Sequence, residues 1–253
     1  MAAPSAELAR ELNDSAVGQA ASARLAALRE AVDGRVVFTT SFGLEDQAIT
    51  HLIAEAGLDI ELATLDTGRM FAETYDVWRE TERRYGVRIA AFYPEREALE
   101  ALVAAQGIDG FYDGVAQRHA CCDVRKVQPL ARALAGAGAW VTGLRGSQSQ
   151  HRTQMDLVGF DAARRLVKAN PIFDWSREDV AAFTRANDVP VNALHARGFP
   201  SIGCAPCTRA IQPGEDERAG RWWWETSDKE CGLHVTADGR FVRAAARQGM
   251  ADR

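Results

Sequence analysis

The sequence predicts a Rossmann-like α/β fold, a parallel β-sheet with helices on both faces, followed by an irregular C-terminal segment. In the first two thirds of the chain, short β-branched apolar runs alternate with segments of helical periodicity. Polar loops follow several of these runs. From Pro190 onward the sequence is rich in Gly, Pro, Cys, Arg and Trp and shows little periodicity. Strands and helices that alternate at this spacing are typical of βαβ units, and therefore of a parallel sheet.

The predicted elements occur in the order that such a sheet requires. Leucines at mostly helical spacing between Ser5 and Val32 predict one or two leading helices. Apolar runs predict four strands, at Arg35–Thr40, Ile60–Leu65, Val87–Phe92 and Ala139–Gly143. Helical patterns predict four further helices, at Glu45–Ala56, Phe71–Tyr85, Glu95–Gln106 and Asp123–Leu134. We therefore expect N-terminal helices in residues 1–33, an α/β domain in residues 34–210 and a C-terminal segment in residues 211–253.

Composition narrows the class of protein. The chain has 253 residues, of which 47% are hydrophobic, and a formal net charge of −5. This charge argues against a general nucleic-acid binder. No apolar stretch approaches the roughly 20 residues that span a bilayer, and Met1–Arg10 lacks the pattern of a secretory signal. We expect a cytoplasmic protein with no membrane or nucleic-acid partner, whose five cysteines stay reduced.

Three polar loops follow predicted strands and are therefore expected at one edge of the sheet, where parallel α/β sheets bind ligands. An ordinary βα turn explains each loop taken singly, and the first is not a Walker A motif because it lacks Gly-Lys-Ser/Thr. Taken together, their hydroxyl, amide and guanidinium groups predict a pocket for a nucleotide with a phosphate-like tail. The candidate residues are Ser41, Phe42, Gly43, Glu45, Asp46, Leu65, Asp66, Thr67, Gly68, Arg69, Arg145, Gln148, Ser149 and Arg152.

Four of the five cysteines form two tight pairs, Cys121-Cys122 and Cys204-x-x-Cys207. Such pairs are compatible with an iron–sulfur cluster, a zinc site, a redox dithiol or buried inert thiols. Zinc sites favour cysteines separated by two to four residues. A cubane cluster accepts adjacent thiolates more easily, because its irons are spread over a larger body. The spacing therefore favours a [4Fe–4S] cluster over zinc.

The fifth thiol, Cys231, lies on a polar segment between Glu230 and Gly232, close to His234. Its surroundings favour a reactive thiol, although a lone cysteine is more often inert. The preceding segment carries Arg218 and Arg221 ahead of three tryptophans, which either anchor the tail or stack on a base. This part of the sequence predicts a nucleophile with cations nearby.

Together these motifs resemble the assimilatory adenylyl-sulfate and phosphoadenylyl-sulfate reductases. The resemblance extends over most of the chain, and its three C-terminal motifs are the most specific. Because all four paired cysteines are present, the chain resembles the cluster-bearing branch, which mainly reduces adenosine 5′-phosphosulfate. The motifs are Ser41–Asp46, Leu65–Arg69, Cys121–Leu130, Arg145–Arg152, Pro200–Thr208, Gly220–Glu225 and Glu230–His234.

The resemblance implies roles for the five cysteines and for the residues that bind the substrate. It implies that Cys121, Cys122, Cys204 and Cys207 ligate a [4Fe–4S] cluster, in a fold like that of the adenine nucleotide alpha hydrolases. It also implies that Cys231 attacks the sulfate sulfur, releases AMP and becomes a thiosulfonate, which thioredoxin or a glutaredoxin-like dithiol then reduces to liberate sulfite. The substrate-binding residues then include, besides the three loops, Lys126, Arg218, Arg221 and His234.

Two alternatives stay open at this point. One is the same reaction on the 3′-phosphorylated nucleotide, or on both nucleotides. The other is a non-catalytic protein that binds an iron–sulfur cluster or zinc. The sequence leaves the oligomeric state open as well, with a homo-oligomer among the alternatives.

Overall fold

The protein, described by a computed structural model for residues 1–148 and 155–225, has six strands and eight α-helices in that part of the chain. The strands are β1 (Arg35–Thr40), β2 (Glu61–Leu65), β3 (Ala90–Phe92), β4 (Ala137–Val141), β5 (Val158–Asp161) and β6 (Leu166–Ala169). The helices are α1 (Ala6–Ala16), α2 (Ala21–Ala31), α3 (Leu44–Glu55), α4 (Ala72–Tyr85), α5 (Arg96–Gln106), α6 (Val115–Cys122), α7 (Gln128–Ala133) and α8 (Arg177–Ala186).

The strands form one six-stranded sheet in the order β3-β2-β1-β4-β6-β5. The predicted Rossmann-like α/β architecture is confirmed, and β1, β2, β3, β4 and β6 are parallel. The expectation of a wholly parallel sheet is wrong in one strand, because β5 pairs antiparallel with β6. Only four residues lie between these two strands, which is enough for a hairpin but too few for a parallel crossover.

Each face of the sheet has its own apolar core. Val36 and Phe38 of β1 point to one face, where they pack with residues from α1, α2, α3 and α8. Val37 points to the opposite face and packs with Trp140 of β4 and Leu130 of α7. Successive side chains of a strand point to opposite faces of the sheet. Because helices cover both faces, β1 is apolar at successive positions.

The sequence located most of the elements in the first 143 residues to within a few residues. The region of residues 115–133 differs, because the helix begins at Val115, eight residues before its predicted start. It passes through a π-helical turn at Asp123–Val127 before it continues as α7. After α8, the described part of the C-terminal region contains only short 3₁₀ turns and irregular loops, as expected from its composition.

No helix within residues 1–148 and 155–225 is both long and apolar enough to cross a membrane.

Candidate active site

A cleft of about 210 Å³ opens at the carboxyl ends of the central strands. The loops after β1 and β4 both line it. These two strands are neighbours, but the chain continues from β1 towards the β3 edge of the sheet and from β4 towards the β5 edge. Ligands of open α/β sheets bind at such a switch point. Ten of the residues that the sequence proposed for the substrate line this cleft: Ser41, Gly43, Glu45, Asp46, Leu65, Thr67, Lys126, Gln148, Arg218 and Arg221.

Five other proposed substrate residues do not line the cleft. They are Phe42, Asp66, Gly68, Arg69 and Arg145. Four further proposals, Ser149, Arg152, Cys231 and His234, fall outside the residues that the structure describes.

The loop after β1 is held by its own polar groups. The backbone N–H and the hydroxyl of Ser41 donate to the carboxylate of Asp46, at 2.6 and 2.7 Å. Phe42 adopts a left-handed backbone with φ 60°, and its buried ring stacks on Trp78. The left-handed position in this loop is therefore Phe42 and not Gly43, which has φ −71°. The side chain of Phe42 belongs to the core, and Ser41 and Gly43 remain at the cleft.

Asp46 is a buried acid in this loop. Burial raises the pKa of its carboxyl from 3.8 to about 6, although the two hydrogen bonds from Ser41 act in the opposite direction. Gly143, in the loop after β4, lies against this carboxylate. A Cβ atom at Gly143 would stand 2.2 Å from Oδ1 of Asp46, so a glycine is required for the two loops to meet.

The loop after β2 leads from the cleft towards the paired cysteines. Asp66 accepts hydrogen bonds from Tyr75 and from the N–H of Gly68, and these bonds fix the turn. Thr67 contacts Cys204, with 3.3 Å between Oγ1 and Sγ. Arg69 turns away from the cleft, because its guanidinium binds Asp109 and lies 5.1 Å from the ring of Phe111. The structure thus places Arg69 beside the cysteines, whereas the sequence proposed it for an anion.

Arg145, in the loop after β4, is fully buried behind the cleft wall. Its guanidinium donates to Glu45 at 2.8 Å, to Ser147 at 2.6 Å and to Glu217 at 2.9 Å. Burial lowers the pKa of Arg145, but the two carboxylates outweigh it and raise the pKa overall. Glu217 also binds Arg177 at 3.0 Å. It had no signal in the sequence, because its partners Arg145 and Arg177 precede it by 72 and 40 residues in the chain.

The C-terminal tract brings two cations to the cleft. Arg218 and Arg221 both line it, and the guanidinium of Arg221 lies 4.7 Å from the ring centre of Trp222. Arg221 donates weakly to Ser201 and to the carbonyl of Ile202, both at 3.4 Å. Trp222 contributes to packing, because it is buried against three of the cysteines, whereas Trp223 is exposed. For Trp222 the structure thus shows the anchoring role, one of the two that the sequence suggested.

The four paired cysteines line one small cavity next to the cleft. All four are free thiols, and Cys122, Cys204 and Cys207 are buried. Burial and the neighbouring Cys204 raise the pKa of Cys207 to about 11. Burial also opposes ionisation of Cys204, but Lys126, Thr67 and Arg221 act against it and lower the pKa overall. A buried thiol with a lowered pKa is suited to bind a metal as thiolate.

The donor set of this cavity is compatible with an iron–sulfur cluster. Within residues 1–148 and 155–225, no three His, Cys, Asp or Glu side chains are grouped so as to hold one metal ion. Four thiols around one cavity suit a group with several separate ligand positions. Trp222 and Arg125 line the same cavity, and their buried Nε1 and Nε atoms have no hydrogen-bond partner in the structure. Such buried donors are suited to the sulfur atoms of a cluster.

Lys126 lies between the two cavities and lines both. It belongs to the π-helical turn that follows Cys121 and Cys122. In the same turn, the side chain of Arg125 donates to the carbonyl of Thr67 at 2.6 Å, which joins the turn to the loop after β2. π-Helical turns within helices occur frequently at functional sites. This turn brings a cation to the boundary between the thiols and the cleft.

Several residues of the cleft were not proposed from the sequence. Besides Glu217, they include Thr39, Thr40, Trp140, Thr142 and Ser201. Most are uncharged residues near strand ends, and in the sequence they cannot be distinguished from other residues of a buried strand. Their place at or near the carboxyl ends of predicted strands was the only signal for them, and it did not identify individual side chains.

Comparisons with known proteins agree with this geometry. Residues 35–210 match the phosphoadenosine phosphosulfate reductase domain family. The chain is 54% identical over 228 residues to a protein of Sinorhizobium fredii (strain USDA 257) named adenosine 5′-phosphosulfate reductase, and the match covers 90% of each. It is also 54% identical over 200 residues to a protein of the same name from Allochromatium vinosum, with 79% of this chain and 78% of the relative covered.

A solved structure shares the fold. The crystal structure of phosphoadenylyl-sulfate reductase from Candida auris, in a phosphate complex, aligns with a TM-score of 0.68 at 24% identity. The alignment covers 80% of this chain and 96% of that one. At this identity the likeness concerns the fold alone.

Proposed function

Because the chain belongs to the phosphoadenosine phosphosulfate reductase family, we propose that it reduces adenosine 5′-phosphosulfate to sulfite and AMP, with thioredoxin or a glutaredoxin-like dithiol as the reductant. The reaction serves sulfate assimilation and cysteine biosynthesis in the cytoplasm. The observation that carries the proposal is the cleft at the switch point of the sheet, which shares Lys126, Cys204 and Trp222 with the cysteine cavity. The names of the relatives support the nucleotide without a 3′-phosphate as substrate.

The proposed reaction has two steps. The thiolate of Cys231 attacks the sulfate sulfur, the bond from sulfur to the phosphate oxygen breaks, and AMP leaves with that electron pair. A thiolate of the dithiol partner then attacks the Cys231 sulfur and displaces sulfite, forming a mixed disulfide. The second thiol of the partner resolves this disulfide, so the partner supplies both electrons and regenerates Cys231.

The cations of the cleft reduce an electrostatic barrier in the first step. A thiolate that approaches an anionic sulfo group is repelled by about 4 kcal/mol at 4 Å for an effective dielectric of 20. Arg218, Arg221 and Lys126 line the cleft and are able to hold the phosphate and sulfo oxygens. Charge that is positioned before the reaction stabilises the transition state without further reorganisation. We assign these three residues to the anionic end of the substrate.

We also propose that Cys121, Cys122, Cys204 and Cys207 hold a [4Fe–4S] cluster. When bound, the cluster supplies iron–thiolate bonds that join the end of α6 to the turn at Ala205–Cys207. Lys126 keeps a positive charge between these thiols and the cleft. Thr67 and Trp222 hold the thiol-bearing segments in place, through the contact of Thr67 with Cys204 and the packing of Trp222 on the thiols.

Mass spectrometry of a single half-reaction tests the proposal. The protein is mixed with adenosine 5′-phosphosulfate without reductant, and a sulfo adduct is expected on Cys231. Thioredoxin should then remove the adduct and release sulfite. The variant Cys231→Ser is the control and should form no adduct while it keeps its iron content. Sulfite release that stays intact in this variant would contradict the mechanism. A wild type that forms no adduct and releases no sulfite would favour a non-catalytic metal-binding protein.

A competition with the 3′-phosphorylated nucleotide tests the substrate. The proposal expects that this nucleotide competes weakly for adduct formation. Equal or stronger competition would show that the 3′-phosphate is accepted.

A further inference from the structure

Glu217 connects the C-terminal tract to the loop after β1 through a buried arginine. Its carboxylate lies 2.9 and 3.1 Å from Nη2 of Arg145, and the same guanidinium binds Glu45 at 2.8 Å. The side chain of Arg145 is only 1% exposed, whereas those of Glu45 and Glu217 are 10% and 20% exposed. Both carboxylates form part of the cleft wall, with the guanidinium between them.

The nitrogens of Arg145 are already engaged by the protein. Nε donates to Glu45, Nη1 to Ser147 and Nη2 to Glu217. The guanidinium is therefore not directed at an anion in the cleft. Breaking a buried ion pair to bind a substrate would leave a carboxylate without its partner, which is costly. Arg145 instead holds two parts of the cleft wall together.

The segment that Glu217 anchors carries the cations of the cleft. Residues 209–220 form a loop whose ends are joined by the N–H of Arg209 and the carbonyl of Gly220. The loop consists of successive turns, in which the N–H of Arg221 donates to the carbonyl of Arg218. Glu217 directly precedes Arg218, so its contact with Arg145 fixes the backbone from which Arg218 projects.

Arg177, at the start of α8, strengthens this anchor. It donates to Glu217 at 3.0 Å and to the carbonyl of Pro200 at 3.2 Å. Glu217 thus joins the C-terminal loop to α8 and, through Arg145, to the start of α3. Three segments that are distant in the sequence thus meet at one carboxylate.

We propose that Glu217 is a positioning residue of the reductase reaction, which holds Arg218 and Arg221 at the anionic end of the substrate. The inference rests on the proposed function, because it assigns those two cations to the phosphate and sulfo groups. Glu217 itself does not touch the reacting atoms. It acts through Arg145 and through the backbone of the loop.

The direction in which KM changes in a Glu217 variant separates this positioning role from a simple effect of charge. Glu217→Gln removes a negative charge from the wall of an anion-binding cleft. If Glu217 acted only through its charge, the variant would bind the anionic substrate more tightly and its KM would fall. If Glu217 positions the cations, the variant lets them move and KM rises. A general loss of stability would lower the amount of folded enzyme without raising its KM.

Steady-state kinetics of the holoenzyme provide the test. We expect Glu217→Gln to raise KM for adenosine 5′-phosphosulfate by about 10- to 100-fold, with a much smaller change in kcat, because misplaced binding groups carry a penalty of that size. Glu215→Gln is the matched control, since Glu215 binds Arg209 in the same loop, and it should leave KM unchanged. A KM of Glu217→Gln that is unchanged or lower overturns the inference.

Two further variants keep the test decisive. Arg177→Gln should raise KM in the same direction but less, and the double variant should match Glu217→Gln alone, because both changes act through one contact. Additive effects would contradict this. If Glu217→Gln does not fold, Glu217→Asp retains the charge at a shorter reach, and an unchanged KM in that variant counts against the inference.

The inference and the proposed function fail separately. If the wild-type enzyme releases no sulfite from adenosine 5′-phosphosulfate, the proposed function is wrong. Calorimetric binding of AMP to the wild type and to Glu217→Gln then still tests Glu217. Equal affinities for AMP would overturn the positioning role.

Discussion

At the scale of single residues, the cleft places a protonatable acid where an anionic substrate is expected. Asp46 is buried, and its pKa of about 6 lies above the ordinary value of 3.8. The carboxylate accepts two hydrogen bonds from Ser41 and so shapes the loop after β1. Its ionisation is therefore coupled to the shape of the loop and to the stability of the fold.

Asp46→Asn should change the pH dependence of stability in a defined direction. Between pH 4 and pH 6, the folded protein holds a proton that the unfolded chain has lost, so the wild type loses stability as the pH rises. The variant does not titrate and keeps an acceptor for Ser41. We expect the free energy of unfolding of the variant to gain about 2 kcal/mol on the wild type between pH 4 and pH 7. Denaturant unfolding at the two pH values measures this, and a constant difference would contradict it.

Site residues were found from the sequence when a short motif identifies them, and missed when only contacts between distant parts of the chain do. Cys204 and Cys207 are recognisable because their spacing is itself the signal. The bridge of Glu45, Arg145 and Glu217 has no such signal, because an ion pair across the fold leaves no pattern in the sequence. The direction of the Arg69 side chain had no local signal either, because the position of a loop does not reveal to which side a long side chain extends.

At the scale of elements, the four strands that begin or end in clear apolar runs were predicted, and β5 and β6 were not. β6 contains Lys168 in the middle of a four-residue strand, where it is buried with its ammonium 4.8 Å from the ring centre of Trp140. A charged residue in so short a run hides the strand from any apolar pattern. β5 contains a glycine and ends in Asp161, which binds Arg164. Only the completed sheet shows that these groups have partners.

α8 begins with a capping box that supports the anchor of the C-terminal loop. Ser176 accepts from the N–H of Asp179, whose side chain accepts from the N–H of Ser176. Ser176→Ala removes one of these bonds, and we expect a loss of about 1 kcal/mol, or a melting temperature lower by about 2–4 °C. The exposed Ser22 of α2 gives the control Ser22→Ala, which should shift the melting temperature by less. Equal shifts in both variants would show that the cap contributes nothing.

At the scale of the whole molecule, a buried ion pair joins the cysteine-bearing helix to the end of the described C-terminal tract. Arg118 of α6 donates to Glu225 at 2.8 and 3.0 Å, and both side chains are almost fully buried. The guanidinium of Arg118 also lies 4.7 Å from the ring centre of Trp222. The pair closes the side of the cysteine cavity on which α6 and the tryptophans meet. It thereby links the two halves of the proposed cluster site independently of the thiols.

Glu225→Gln tests how much this link contributes. The change leaves the charge of Arg118 buried without its carboxylate, and losing one partner of a buried pair costs about 3–5 kcal/mol. We therefore expect a melting temperature lower by about 10 °C. Glu97→Gln breaks an exposed pair with Arg96 and should leave the melting temperature unchanged. Since Glu225 contacts α6 and lies outside the cleft lining, KM for the nucleotide should stay the same in the folded variant. A raised KM without a lower melting temperature would mean that this pair acts on the cleft and not on the joint between the cysteine-bearing segments.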